Sequence, residues 1–165
     1  MTRLTIFDEA GAKLGATQDA DAIATTLGGI GVRFERWPAA DRDAQIALLR
    51  AEGYTTVDTV SVFPDHPGRA AMRAKFLSEH RHAEDEVRYF VAGAGLFTLR
   101  EGGRVYAVLC ESGDLISVPA GMRHWFDMGP RPHFTAIRFF RTPEGWVGDF
   151  TGDAIAERFP RLEPA

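Results

Sequence analysis

The sequence predicts a mainly β domain, a barrel or sandwich carrying a few peripheral α-helices. Three observations predict it. From residue 80 onward, five short apolar runs alternate with glycine-rich turns: Val87–Ala92, Leu96–Leu99, Val105–Leu109, Leu115–Val118 and Phe134–Phe140. Between two of them, Glu101-Gly102-Gly103 is a strong hairpin signal. Helical patterning is concentrated in the first 78 residues.

In chain order, Leu4–Phe7 followed by Asp8-Glu9-Ala10-Gly11 reads as a strand and turn. Asp19 is placed to cap a short helix through Leu27, which Gly28-Gly29 stops. Val32–Trp37 is a strand. Asp41–Glu52 is the strongest helix: Ile46 and Leu49 share a face, Arg42 and Arg50 stay in water, and Gly53 ends it. Val57–Phe63 is extended, and Pro64 and Pro67 break it. Arg69–Leu77 forms a helix running into the histidine segment, and Asp153–Arg158 adds one or two last helical turns. With 165 residues and no linker or repeat, one domain is expected over 1–165. Its helices and strands of 1–78 pack on a β core of 79–141, followed by a tail over 142–165.

Composition excludes several function classes. The net charge is −4 with no basic stripe, which argues against a nucleic-acid partner. No apolar run approaches the ~18 residues of a membrane span, and the N-terminal stretch lacks the apolar centre of a signal peptide. Cys110 is the one cysteine, so no internal disulfide forms and a cytoplasmic setting is expected. Lys13 and Lys75 are the only lysines beside seventeen arginines.

The chemistry concentrates in Glu79-His80-Arg81-His82-Ala83-Glu84-Asp85-Glu86-Val87-Arg88. Side chains two apart on a strand share a face, so His80 and His82 present paired imidazoles, and Glu86 and Arg88 share that parity. The opposite face carries Val87, Tyr89 and Val91. A His-x-His pair alone fits a charged surface loop as well as a metal site. The third histidine shifts the balance: His124 follows a strand and a Pro119-Ala120-Gly121 turn. Imidazoles and a carboxylate converging inside a barrel suit a divalent transition metal.

Together these segments resemble the two cupin motifs. His80, His82, Glu86 and Gly93 fit the first, and Gly113, Pro119, Gly121 and His124 fit the second. Ala74 stands where cupins usually carry glycine, and Met128 where they carry asparagine; neither departure removes a ligand. That spacing selects Glu86 over Glu84. The implied fold is the cupin double-stranded β-helix, or jelly roll. Lys75-Phe76-Leu77, the Glu79–Arg88 stretch, His124–Gly129 and Phe134–Phe140 further resemble acireductone dioxygenases, over about residues 57–148.

The resemblance implies one Fe(II) or Ni(II) ion held by His80, His82, Glu86 and His124, with two adjacent positions open. It implies the substrate 1,2-dihydroxy-3-oxo-5-methylthiopent-1-ene, an acireductone, together with O2, in methionine salvage. Iron in this family yields formate and 4-methylthio-2-oxobutanoate; nickel yields formate, carbon monoxide and 3-methylthiopropanoate. Arg88 and Arg138 match arginines that the family places near the substrate. Phe76, Phe126 and Trp146 are candidates for its methylthio pocket, with ordinary core packing as the alternative. Glu79 and Asp85 flank the ligands and are candidate acceptors for the imidazoles, or else solvated acids. A monomer is expected. The fold also admits a metal-dependent isomerase or a ligand-binding module without catalysis. His66, His133 and Cys110 are set aside: a solvated turn, a position without metal spacing and a small buried apolar group.

Overall fold

Eleven strands, three α-helices and two 3₁₀ turns make up the regular structure of residues 1–162, the described part of the computed structural model. Glu163, Pro164 and Ala165, the end of the expected tail, lie outside the described residues. The elements are β1 (Arg3–Asp8), β2 (Lys13–Thr17), α1 (Ala20–Gly28), β3 (Arg33–Arg36), α2 (Arg42–Ala51), β4 (Thr56–Val62) and α3 (Arg69–Leu77). They continue with β5 (His80–Arg81), β6 (Glu86–Glu101), β7 (Arg104–Glu111), β8 (Asp114–Val118), β9 (Arg123–Asp127), β10 (Phe134–Phe140) and β11 (Asp149–Phe150). Among the described residues no helix is long and apolar enough to cross a membrane.

The spine is β6, sixteen residues long, which changes partners halfway. Its first half pairs with β8 on one edge and β10 on the other. Its second half pairs with β9 and β7. Two sheets therefore share one strand: β11-β5-β9-β6-β7-β1-β2 and β3-β8-β6-β10-β4, every pairing antiparallel. This is the mainly β, cupin-type architecture expected from the sequence.

The apolar pattern explains the layers. Between the sheets lie Phe90, Phe97, Leu99, Val108, Ile116, Phe126 and Phe134, with Ile23 and Leu27 of α1 closing one end. Asp19 caps that helix by accepting from the Ala22 amide at 3.2 Å. The outer face of the second sheet buries Val87, Tyr89 and Leu115 beneath Trp37, Tyr54 and Leu49 of α2. The outer face of the first buries Phe7, Val105 and Trp125 beneath Ile155 and Phe159 of the C-terminal segment. Both faces of β6 are thus covered, and its first five residues are all buried.

The structure corrects one expectation. Val87–Ala92 and Leu96–Leu99 are not two strands joined by a turn but one strand with a corner at Gly93. That residue has φ +73°, and a Cβ there would overlap the His133 carbonyl. The glycine serves close approach to β10 rather than chain reversal. Gly93→Ala is expected to cost about 3 kcal/mol, lowering Tm by roughly 6–12 °C. An unchanged melting temperature would reject this account. The sequence reading also missed β9, whose apolar run is too short to stand out. Its pairing to β6, from Leu96↔Asp127 to Arg100↔Arg123, makes it a strand.

Helix α3 buries no residue completely and is held from its side. Asp127 of β9 accepts from Arg73 Nε and Nη2 at 2.8 and 3.1 Å, and from the Gly129 and Leu162 amides at 2.8 Å each. Burial raises the Asp127 pKa, but these donors outweigh it and hold the carboxyl below its usual value. Asp127→Asn is expected to lose about 2 kcal/mol at pH 7. Because the folded pKa is depressed, this contribution is complete above about pH 5 and fades as pH falls below about 4. In melting curves from pH 3 to 7 the gap between wild type and variant should narrow toward the acid end; a constant gap would contradict the assignment.

Candidate metal centre

His80, His82, Glu86 and His124 converge at one end of the space between the sheets. His80 lies on β5 directly across from His124 on β9, which in turn lies across from Leu99 on β6. Glu86 is the first residue of β6, and His82 sits in the link between β5 and β6. The side-chain nitrogens of the three histidines fall within 4.8 Å of one another. All four residues are buried.

Each imidazole is oriented by a backbone carbonyl. Nδ1 of His80, His82 and His124 lies 2.7, 3.0 and 2.9 Å from the oxygens of Ser78, Val147 and Met122. A carbonyl only accepts, so each Nδ1 carries a proton and each Nε2 is turned inward. Glu86 Oε2 lies 3.0 Å from Nε2 of both His82 and His124. Its other oxygen accepts from Arg88 Nη2 at 2.6 Å.

Burial, aided by His124, pushes the His80 pKa down to about 4, so that ring is neutral at pH 7. Burial also works against the Glu86 charge, yet Arg88 and the two histidines hold its carboxyl well below the usual range. His82 is drawn down by burial but ends raised through its contact with Glu86. Two imidazole nitrogens, of His82 and His124, each 3.0 Å from one carboxylate oxygen need a positive centre, a proton or a cation, between them. A separation of roughly 3 Å is also the edge of an octahedron with metal–ligand bonds of about 2.1 Å. Three imidazoles and one carboxylate therefore fit a divalent first-row cation.

Known proteins share this plan. The sequence profile of the ARD/ARD′ family matches residues 12–148. The chain belongs to the ARD/ARD′ family. Among its relatives, the acireductone dioxygenase of Pseudomonas aeruginosa (strain UCBPP-PA14) is 56% identical over 99% of both chains. That of Parvibaculum lavamentivorans is 54% identical, over 99% of this chain and 98% of the relative. A solved structure of acireductone dioxygenase from Bacillus anthracis, with a cadmium ion in its active centre, superposes with a TM-score of 0.81. It is 29% identical and covers 91% of this chain and 98% of its own.

Residues beyond the four ligand candidates separate into those the ARD/ARD′ fold brings to the centre and those it does not. The buried Arg88 guanidinium lies 5.1 and 5.0 Å from the Phe97 and Phe126 ring centroids. Its Nε has no hydrogen-bond partner among the described residues. Arg138 also lines the inner cavity, of about 30 Å³, as do Phe76, Phe126 and Trp146. Phe126 is buried and meets Phe76 edge-on at 6.3 Å, whereas Trp146 is half exposed at the rim. Phe76, His80, His82, Arg138 and Trp146 also line an outer groove of about 410 Å³.

Glu79 and Asp85 correct the sequence reading, because neither reaches an imidazole. Glu79 is buried, not solvated: it accepts from Arg100 at 3.2 Å and from the Thr151 hydroxyl at 2.7 Å. Asp85 accepts from the Tyr54 hydroxyl and the Ala120 amide. Backbone carbonyls fill the orienting role instead. Glu84 turns away to the Arg141 and Thr142 amides.

Sequence reasoning missed Phe97 and Phe140 in the inner cavity, and Asp58, Met72 and Lys75 in the outer groove. Phe97 was recoverable only with β9 in hand, because it lies across from Phe126.

Proposed function

We propose that this chain cleaves acireductone with O2, as an Fe(II)- or Ni(II)-dependent acireductone dioxygenase of methionine salvage. The observation that carries the reading is the inward set of three Nε2 atoms and one carboxylate oxygen, at the base of a cavity that also holds two guanidinium groups. His80, His82, Glu86 and His124 would hold the ion. When bound, the ion supplies Lewis acidity and a template for two substrate oxygens.

The chain's own residues do the rest. Arg88 offers fixed positive charge in a water-poor cavity, where it stabilises a dianionic enediolate more than it would in water. Its unpartnered Nε–H is a donor held ready without reorganisation. Arg138 adds a second charge at the junction of cavity and groove. Phe76, Phe126 and Trp146 offer an apolar wall to a methylthio group and exclude water from the reacting oxygens. Iron would direct the products to formate and 4-methylthio-2-oxobutanoate, and nickel to formate, carbon monoxide and 3-methylthiopropanoate. The same reading takes the chain as one domain, a cytoplasmic monomer without nucleic-acid or membrane partners; its charge of −4 argues against the nucleic-acid partner.

The test is an oxygen electrode with acireductone generated in the cell. Iron-loaded protein is expected to consume one O2 per substrate and release formate. A substrate consumed without oxygen uptake would indicate a metal-dependent isomerase.

A further inference from the structure

Asp58 has no assigned part in the site, yet it shares a rung of the sheet with both arginines. Asp58 on β4 lies directly across from Arg138 on β10, which lies directly across from Arg88 on β6. Residues facing each other across antiparallel strands share a face, and like charges so placed repel. Each arginine carries its own counterion. Glu86 holds Arg88 at 2.6 Å, and Asp58 holds Arg138 side-on, with Nε to Oδ1 at 2.9 Å and Nη2 to Oδ2 at 2.6 Å.

The two pairs differ in freedom. Arg88 is enclosed by Phe97, Phe126 and Glu86, so it has nowhere to move. The Arg138 side chain is 20% exposed and opens onto the outer groove. With its tether gone, repulsion from Arg88 would drive it outward into water. Asp58 itself is 50% exposed and lines the outer groove but not the inner cavity. Solvent therefore screens its charge from an anion in the cavity, while its hold on the guanidinium is geometric.

We infer that Asp58 is a positioning residue: it keeps the Arg138 guanidinium turned toward an anionic ligand against the push of Arg88. The inference deepens the dioxygenase reading and rests on it for the substrate. The opposing account makes Asp58 a counterion that merely cancels one positive charge. The two differ in sign. Removing a positioning residue weakens anion binding, whereas removing a cancelling charge strengthens it.

Oxalate, a planar dianion with two chelating oxygens, is the probe, titrated by calorimetry into nickel-loaded protein. Asp58→Ala is expected to weaken oxalate about 5-fold, and Asp58→Asn, which keeps one acceptor, about 2-fold. In an Arg138→Ala background, Asp58→Ala should change oxalate affinity less than 2-fold, since nothing remains to be positioned. Melting temperatures should stay within about 2 °C, because an ion pair with one half-exposed partner contributes little to stability. Tighter or unchanged oxalate binding in Asp58→Ala would overturn the proposal. So would equal losses with and without Arg138. Wild-type protein that binds oxalate but consumes no O2 would reject the dioxygenase reading alone, with the sign of the oxalate effect still deciding Asp58.

Discussion

His124→Ala is expected to abolish both metal retention and oxygen uptake while leaving a folded barrel. His124 is 1% exposed, lies 3.0 Å from Glu86, and joins β5 to the sheet through its register with His80. Its removal leaves two imidazoles and a carboxylate. Altering even the groups that orient a ligand typically costs 10–100-fold in metal affinity, so losing a ligand should exceed about 100-fold. Turnover should fall by more than about 1000-fold, because the cavity loses both the ion and the edge that fixes it. Metal content by elemental analysis should drop from about one ion per chain to near zero. Circular dichroism should keep the β signature, since the ladder of β9 on β6 depends on backbone bonds. A variant with full metal content and turnover would remove His124 from the ligand set.

Arg88→Ala should separate binding of the ion from chemistry. Among the described residues the Arg88 side chain hydrogen-bonds to Glu86 and presents its guanidinium to the rings of the aromatic cavity. Metal content should therefore stay near one per chain. Turnover should drop about 100- to 1000-fold, the scale for deleting one fixed donor to developing negative charge. Stability supplies a second readout. Without metal, the variant buries the Glu86 carboxylate without its guanidinium partner, which should cost about 3 kcal/mol. With metal, the ion neutralises Glu86 and most of that loss should disappear. Arg88→Lys should restore stability more than turnover, because a lysine supplies charge without the planar fork. Full turnover of Arg88→Ala at saturating substrate would strip Arg88 of its role.

The difference between Arg88 and Glu79 shows which site roles are legible in sequence. Arg88 was readable because strand parity ties it to Glu86, and parity is a local property. Glu79, one residue from His80, was misread as solvated or imidazole-bound because its partners are Arg100 and Thr151, far along the chain. The imidazole partners were unreadable for another reason. They are the carbonyls of Ser78, Met122 and Val147, and every residue carries a carbonyl.

By itself the sequence determined the short-range features: the capped α1, the helix over Arg69–Leu77, the β character beyond residue 80, and the two motifs that nominate His80, His82, Glu86 and His124. Periodicity, capping and motif spacing are written along the chain. Only the tertiary structure decided that β6 runs unbroken through Gly93, that β9 exists, and that Asp58 and Arg138 meet across eighty residues. Those outcomes depend on strand register. Register is set by how apolar faces from distant segments pack together, and no short window of sequence contains both partners.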